Sequence, residues 1–161
     1  MTEVKSTPFV KFALLDMVLV SMACLVPAAS HLFAVPLYVA NPMLALLLAA
    51  LLLGRDWKNA LVLAVLMPLA SCLLTGMPAA PKMVCMVAEL ATVAVLFGAL
   101  SRRWKVLPAV LVSVLAAKGV YYALKAVVLA PVVLVGTEWW LQLAAVVLWG
   151  GLFAMLYKRV K

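Results

Sequence analysis

The side chains in this chain best suited to chemistry stand inside apolar runs, where an ionisable group costs a few kcal/mol on insertion scales and calls for a partner or a purpose. Four such groups are present: Asp16, Glu89, Lys118 and Lys125. Within 106–135, Lys118, Tyr121, Tyr122 and Lys125 follow the spacing i, i+3, i+4, i+7, which on a helix makes one stripe of two amines and two phenols. Within 81–100, Lys82, Met86 and Glu89 share a face by the same rule, with Cys85 beside them. Glu89 lies about 12 Å along a helix from Pro81, and Lys118 roughly 15 Å from the outer end of its span if that end is near Val128, so the two could meet.

Two outcomes follow from those positions. The stripes could open toward one membrane surface as a half-buried pocket whose cations suit a carboxylate and whose tyrosines stack or donate hydrogen bonds. Alternatively, Glu89 and Lys118 form an ion pair that only locks two helices, while Lys125 snorkels to the headgroups. His31, in Ser30-His31-Leu32-Phe33, stands either at the rim of such a pocket or simply in the wet interface. Asn41-Pro42 interrupts an apolar run, and backbone groups freed at membrane depth are tolerated where they line a cavity or are buried in protein.

Catalytic spacings are absent: there is no His-Glu-x-x-His, no pair of carboxylates on one face, no nucleophile elbow and no Walker phosphate loop. Cys24, Cys72 and Cys85 show no C-x-x-C spacing and are expected to pack as small apolar groups. The expectation is a protein that is not an enzyme and holds neither metal nor cofactor.

The elements that must carry these residues are set by composition. The chain has 161 residues, 70% of them hydrophobic and 11% charged, with a mean hydropathy of +1.26. Soluble domains are only roughly 45–50% apolar. Six apolar runs can be drawn, at 9–33, 35–54, 57–74, 81–100, 106–135 and 139–157. Each supplies the roughly 20 residues that a membrane helix needs, and the run 106–135 is long enough to be tilted, or broken near Pro131. The expected fold is therefore an all-α integral membrane protein, a single six-helix transmembrane domain over 1–161. The first run is too long, and lacks the small-residue cleavage site, for a removable signal peptide.

The net charge of +8 would ordinarily suggest nucleic acid. The cations are better read as topology signals. Lys5, Lys11, Arg55, Lys58, Arg102, Arg103, Lys105, Lys158, Arg159 and Lys161 fall on one side of six spans, and Lys82 alone on the other. By the positive-inside rule both termini are cytoplasmic. Trp57, Trp104, Trp139, Trp140 and Tyr157 fall at span ends, as an aromatic belt would place them.

One long stretch is familiar. Ser30-His31-Leu32-Phe33-Ala34-Val35-Pro36, Asn41-Pro42-Met43, the block from Met67-Pro68 to Thr75-Gly76-Met77-Pro78, and Pro81-Lys82-Met83 through Glu89-Leu90-Ala91-Thr92 together resemble the substrate-binding S components of energy-coupling factor (ECF) vitamin transporters. The likeness is to the branch that includes folate, pantothenate and cobalamin S components. It covers roughly residues 30–100, with size, span number and basic ends agreeing over the whole chain. Val93 stands where an aromatic often follows Glu-Leu-Ala-Thr, and Ala13 is followed by Met17 where many S components carry Ala-x-x-x-Ala.

The resemblance implies a bacterial or archaeal cell-membrane protein that binds a small water-soluble vitamin near the outer surface. It implies docking on a transmembrane T component driven by two ATPase subunits, which alone use ATP. It also implies that Gly76, Met77 and Pro78 belong to a gating loop, spanning 75–82, and that Glu89 lies in the family's fourth-span motif. The expected ligand bears a carboxylate, pantothenate for example, held by Glu89, Lys118, Tyr121, Tyr122, Lys125, Lys82, Met86, His31 and Asn41. A competing expectation is a self-sufficient small exporter or channel that uses Glu89 for proton coupling.

Overall fold

The protein, described from a computed structural model over residues 8–32, 41–53, 56–128 and 139–160, folds as six helices with no strand among those residues. They are α1 (Pro8–Leu32), α2 (Pro42–Leu52), α3 (Trp57–Thr75), α4 (Ala80–Leu100), α5 (Val106–Val128) and α6 (Trp139–Val160). Five, α2 excepted, are long and apolar enough to cross a membrane.

The second element departs from expectation. Of the run 35–54, the described helix covers only Pro42–Leu52, 11 residues. At about 1.5 Å per residue it spans roughly 16 Å, half of a hydrocarbon core. Its start is local chemistry: Asn41 sits in the left-handed region (φ 49°, ψ 60°), and Pro42 opens the helix where no amide donor is needed. Its apolar residues cover every face, which suits a helix buried by its neighbours. Met43, Leu44, Leu47, Leu48, Ala50 and Leu51 are all buried, and α2 packs on α1, α3, α4 and α6. In the fifth run the helix extends to Val128, and Pro131 lies outside the described residues.

α3, α4 and α5 form two successive hairpins through short connections, so neighbours run antiparallel. Gly76 ends α3 in the left-handed conformation (φ 69°), with its amide donating to the Cys72 carbonyl at 3.0 Å. This is a position that glycine adopts without the penalty of a Cβ. The turn is then stitched to α3: the Ser71 hydroxyl donates to the Met77 carbonyl at 2.7 Å, and the Met77 amide donates to Thr75 Oγ1 at 3.3 Å. At the other end, residues 101–104 turn the chain, with the Arg103 and Trp104 amides on the Leu100 carbonyl at 3.0 and 2.9 Å. These two places are called here the turn end and the link end.

The buried face of α5 explains the close packing of that hairpin. Ala109, Ser113 and Ala117, one turn apart, are fully buried and let α4 approach closely. The Ser113 hydroxyl is satisfied within the helix by the Ala109 carbonyl at 2.6 Å. The link end is closed by aromatic contacts, Phe97 to Phe153 at 5.3 Å and Phe97 to Tyr157 at 6.3 Å between ring centroids. Those contacts also orient α6, whose C-terminal part lies at the link end and whose start therefore lies at the turn end.

Candidate functional site

Along α5 the face that is small and apolar near the link end becomes polar one turn later. Lys118, Tyr121 and Lys125 continue it, and all three are buried. α4 changes in the same way, from Phe97, Ala94 and Val93 to Glu89 and Cys85. The two polar halves meet as the spacing predicts: Lys118 Nζ lies 2.7 Å from Glu89 Oε1, with the side chains 11% and 5% exposed.

A third element joins them. The Asn41 side chain makes no cap bond to its own helix; its Nδ2 donates instead to Glu89 Oε1 at 3.0 Å. One carboxylate oxygen thus gathers donors from the start of α2 and the middle of α5. A buried ion pair is stabilising only when its remaining hydrogen-bonding needs are met, and Asn41 meets one of them. Lys118 Nζ also stands 5.4 Å from the centroid of the Tyr121 ring, whose face is negative, and Tyr121 meets Tyr122 edge-on at 5.5 Å.

Because α4 and α5 are antiparallel, the Glu89–Lys118 pair sets the register of everything above it. Met86 and Tyr121 are each three residues nearer the turn end, Cys85 and Tyr122 four, and Lys82 and Lys125 seven. Each of these pairs therefore falls at one height, and the last lies about 10 Å beyond Glu89 and Lys118. Cys85 is fully buried, Met86 packs against the hydrophobic core, and Lys82 is exposed. Lys125 is only 9% exposed, so it is drawn into the bundle instead of snorkelling outward.

Polar atoms with no partner concentrate here too. Among the described residues, the buried side-chain atoms lacking a hydrogen bond are Tyr122 Oη, Gln142 Oε1 and Ser30 Oγ. Tyr122 lies one turn above Lys118. Gln142 reaches a similar height, since Gly150 abuts Leu111 and eight residues of each antiparallel helix bring Gln142 level with the Lys118 turn. Buried polar groups are normally paired, and an unmet one calls for water, an ion or a ligand.

Of the residues expected to form a site, the structure brings together Asn41, Glu89, Lys118 and Tyr121 in direct contact. Met86, Tyr122, Lys82 and Lys125 line the levels above. Gly76, Met77 and Pro78 form the turn at the same end, with Met77 exposed and the Met77–Pro78 peptide cis. The side chain of His31 lies outside the described residues. Gln142 escaped the sequence reasoning although a signal was present: it is the only glutamine of the chain and interrupts an apolar span. No cluster of His, Cys, Asp or Glu suited to a metal occurs among the described residues.

No family model, curated protein or solved structure matches the chain.

Proposed function

We propose that the protein is a membrane receptor that captures a small water-soluble molecule at the turn end, as the S component of an ECF-type importer. The observation that carries this reading is the contrast along one hairpin. An apolar bundle gathers a buried carboxylate, two buried amines and two unpaired buried polar atoms from α2, α4, α5 and α6 at a single end. A pair that served only to lock helices would account for Glu89 and Lys118, but not for Lys125, Tyr122 Oη and Gln142 Oε1.

In this reading the termini are cytoplasmic, the turn end faces outward, and the last turn of α1 brings Ser30 to the same site. The turn 76–79, tied to α3 by Ser71 and Thr75, borders the entrance. The captured molecule is vitamin-like and bears a carboxylate, pantothenate being one instance. Uptake requires a T component and two ATPase subunits, since the chain has no phosphate loop.

The test is mass spectrometry of the small molecule released from the purified protein, followed by uptake of that molecule into proteoliposomes with and without the partner subunits. Capture of one compound and uptake only with the partners is the expected result. Uptake by the chain alone would favour the proton-coupled exporter instead. Glu89→Gln, which keeps the Asn41 contact but removes the charge opposite Lys118, is expected to weaken capture by about tenfold, or about 1.4 kcal/mol.

A further inference from the structure

The cations of the link end converge from three separate stretches of chain. An added Cβ on Gly98 would lie 2.7 Å from Trp57 Cβ, so the start of α3, with Lys58, lies against the end of α4. The Phe97–Tyr157 contact, at 6.3 Å between ring centroids, brings the last turn of α6, with Lys158 and Arg159, to the same place. Between them the turn 101–105 carries Arg102, Arg103 and Lys105, and all of these basic side chains are exposed. The whole chain has five acids, one of which, Glu89, is paired inside the bundle. The exposed cations of the link end therefore outnumber all the other acids together, wherever those stand. Helix dipoles do not offset them: α3 and α5 begin at this end, α4 and α6 finish there, and their terminal charges largely cancel.

Depth sets what these cations meet. α4 and α5 have 21 and 23 residues, which at about 1.5 Å each is close to the thickness of a hydrocarbon core. The link end therefore lies at the headgroups of one leaflet, where Trp104, half-exposed between Arg103 and Lys105, is a favoured residue type. We propose that the link end is a receptor for anionic phospholipid headgroups, in which Arg102 and Arg103 grip phosphate oxygens and Lys58, Lys105, Lys158 and Arg159 supply the surrounding field. A zwitterionic headgroup carries its own cation and gains little from this surface; an anionic one gains in full. Such binding fixes the height of the bundle in the leaflet and is independent of what the turn end captures.

The test uses the full chain in maltoside micelles stripped of phospholipid, titrated with phosphatidylglycerol or with phosphatidylcholine of the same acyl chains, and reads the lipids retained by native mass spectrometry. Wild type is expected to retain phosphatidylglycerol at least roughly tenfold more tightly than phosphatidylcholine. Arg102→Gln, Arg103→Gln and Lys105→Gln together are expected to weaken phosphatidylglycerol retention by roughly tenfold to a hundredfold and to leave phosphatidylcholine unchanged. Lys158→Gln with Arg159→Gln alters a different helix and is expected to give a smaller loss in the same direction. Thermal unfolding in lipid-free micelles, expected to be unchanged in both variants, shows that the fold is kept.

Equal retention of the two lipids by wild type overturns the proposal, and so does phosphatidylglycerol retention that survives in both variants. Inorganic phosphate that displaces phosphatidylglycerol at matched ionic strength, where chloride does not, overturns the headgroup in favour of a soluble anion. Polyglutamate that displaces it at equal charge overturns it in favour of an acidic protein segment. Capture of a small molecule at the turn end is read separately from what the purified protein releases, so failure of that reading leaves the lipid result standing.

Discussion

The two halves of the α4–α5 hairpin use the same helical register to opposite ends. Toward the link end, Val93, Ala94 and Phe97 pack with Ala109, Val110 and Val114, and all are buried. There Gly98 lets Trp57 approach so closely that an added Cβ would lie 2.7 Å from the Trp57 Cβ. Toward the turn end the corresponding positions are Glu89, Cys85 and Lys82 on one helix and Lys118, Tyr121, Tyr122 and Lys125 on the other. One half is satisfied by packing alone. The other has buried amines and, at Tyr122, a buried hydroxyl that packing alone does not satisfy, and this difference is the ground of the proposed function.

The largest expected effect tests whether the polar half is a lock, a site or both. Glu89→Ala strands the Lys118 ammonium and the Asn41 amide in a buried setting, at a cost of about 3–5 kcal/mol. Thermal unfolding in detergent should drop by about 10 °C. Replacing both partners, Glu89→Leu with Lys118→Leu, should restore stability to within about 1 kcal/mol of wild type while abolishing capture. A double variant that still binds the native small molecule would reduce the pair to a lock and break the comparison.

Phe153→Ala works on the packed half. It removes an edge-to-face partner of Phe97 and is expected to cost about 3 kcal/mol, with ligand affinity unchanged when measured below the melting temperature. Gly98→Ala forces the α3 start away from α4 and should cost about 1–3 kcal/mol, again without an effect on capture.

Asn41 joins stability to binding. Asn41→Ala loses the bond to Glu89 and puts a less tolerant residue at φ 49°, for about 1–2 kcal/mol in all. Asn41→Gly keeps the backbone free and should be the milder of the two in stability, yet equally impaired in capture. Lys82→Gln, on an exposed side chain, should change the stability read by thermal unfolding by less than about 0.5 kcal/mol.

Much of this was legible in the sequence. Apolar composition and run length gave the helices, because a segment in lipid must satisfy its backbone internally. The i, i+3, i+4, i+7 stripe placed Lys118, Tyr121, Tyr122 and Lys125 on one face, and depth counting brought Glu89 to Lys118. Asn41-Pro42 was legible as a break within the run 35–54 and not as the start of α2, and the partner of Asn41 was not legible at all. A side chain that caps its own helix and one that reaches 48 positions along the chain look alike in sequence. The burial of Lys125 was equally hidden, since a lysine near a helix end snorkels or turns inward according to what its neighbours leave open.

The sequence by itself determined that the chain is helical and membrane-embedded, and that polar groups lie along one face of the α5 segment, for these follow from composition and a fixed helical period. Only the tertiary structure decided which groups Glu89 pairs with. Glu89 has one oxygen shared by Lys118 and Asn41, and that choice depends on the register of three helices at once. Which groups pair is thus a property of the assembled bundle and not of any single helix.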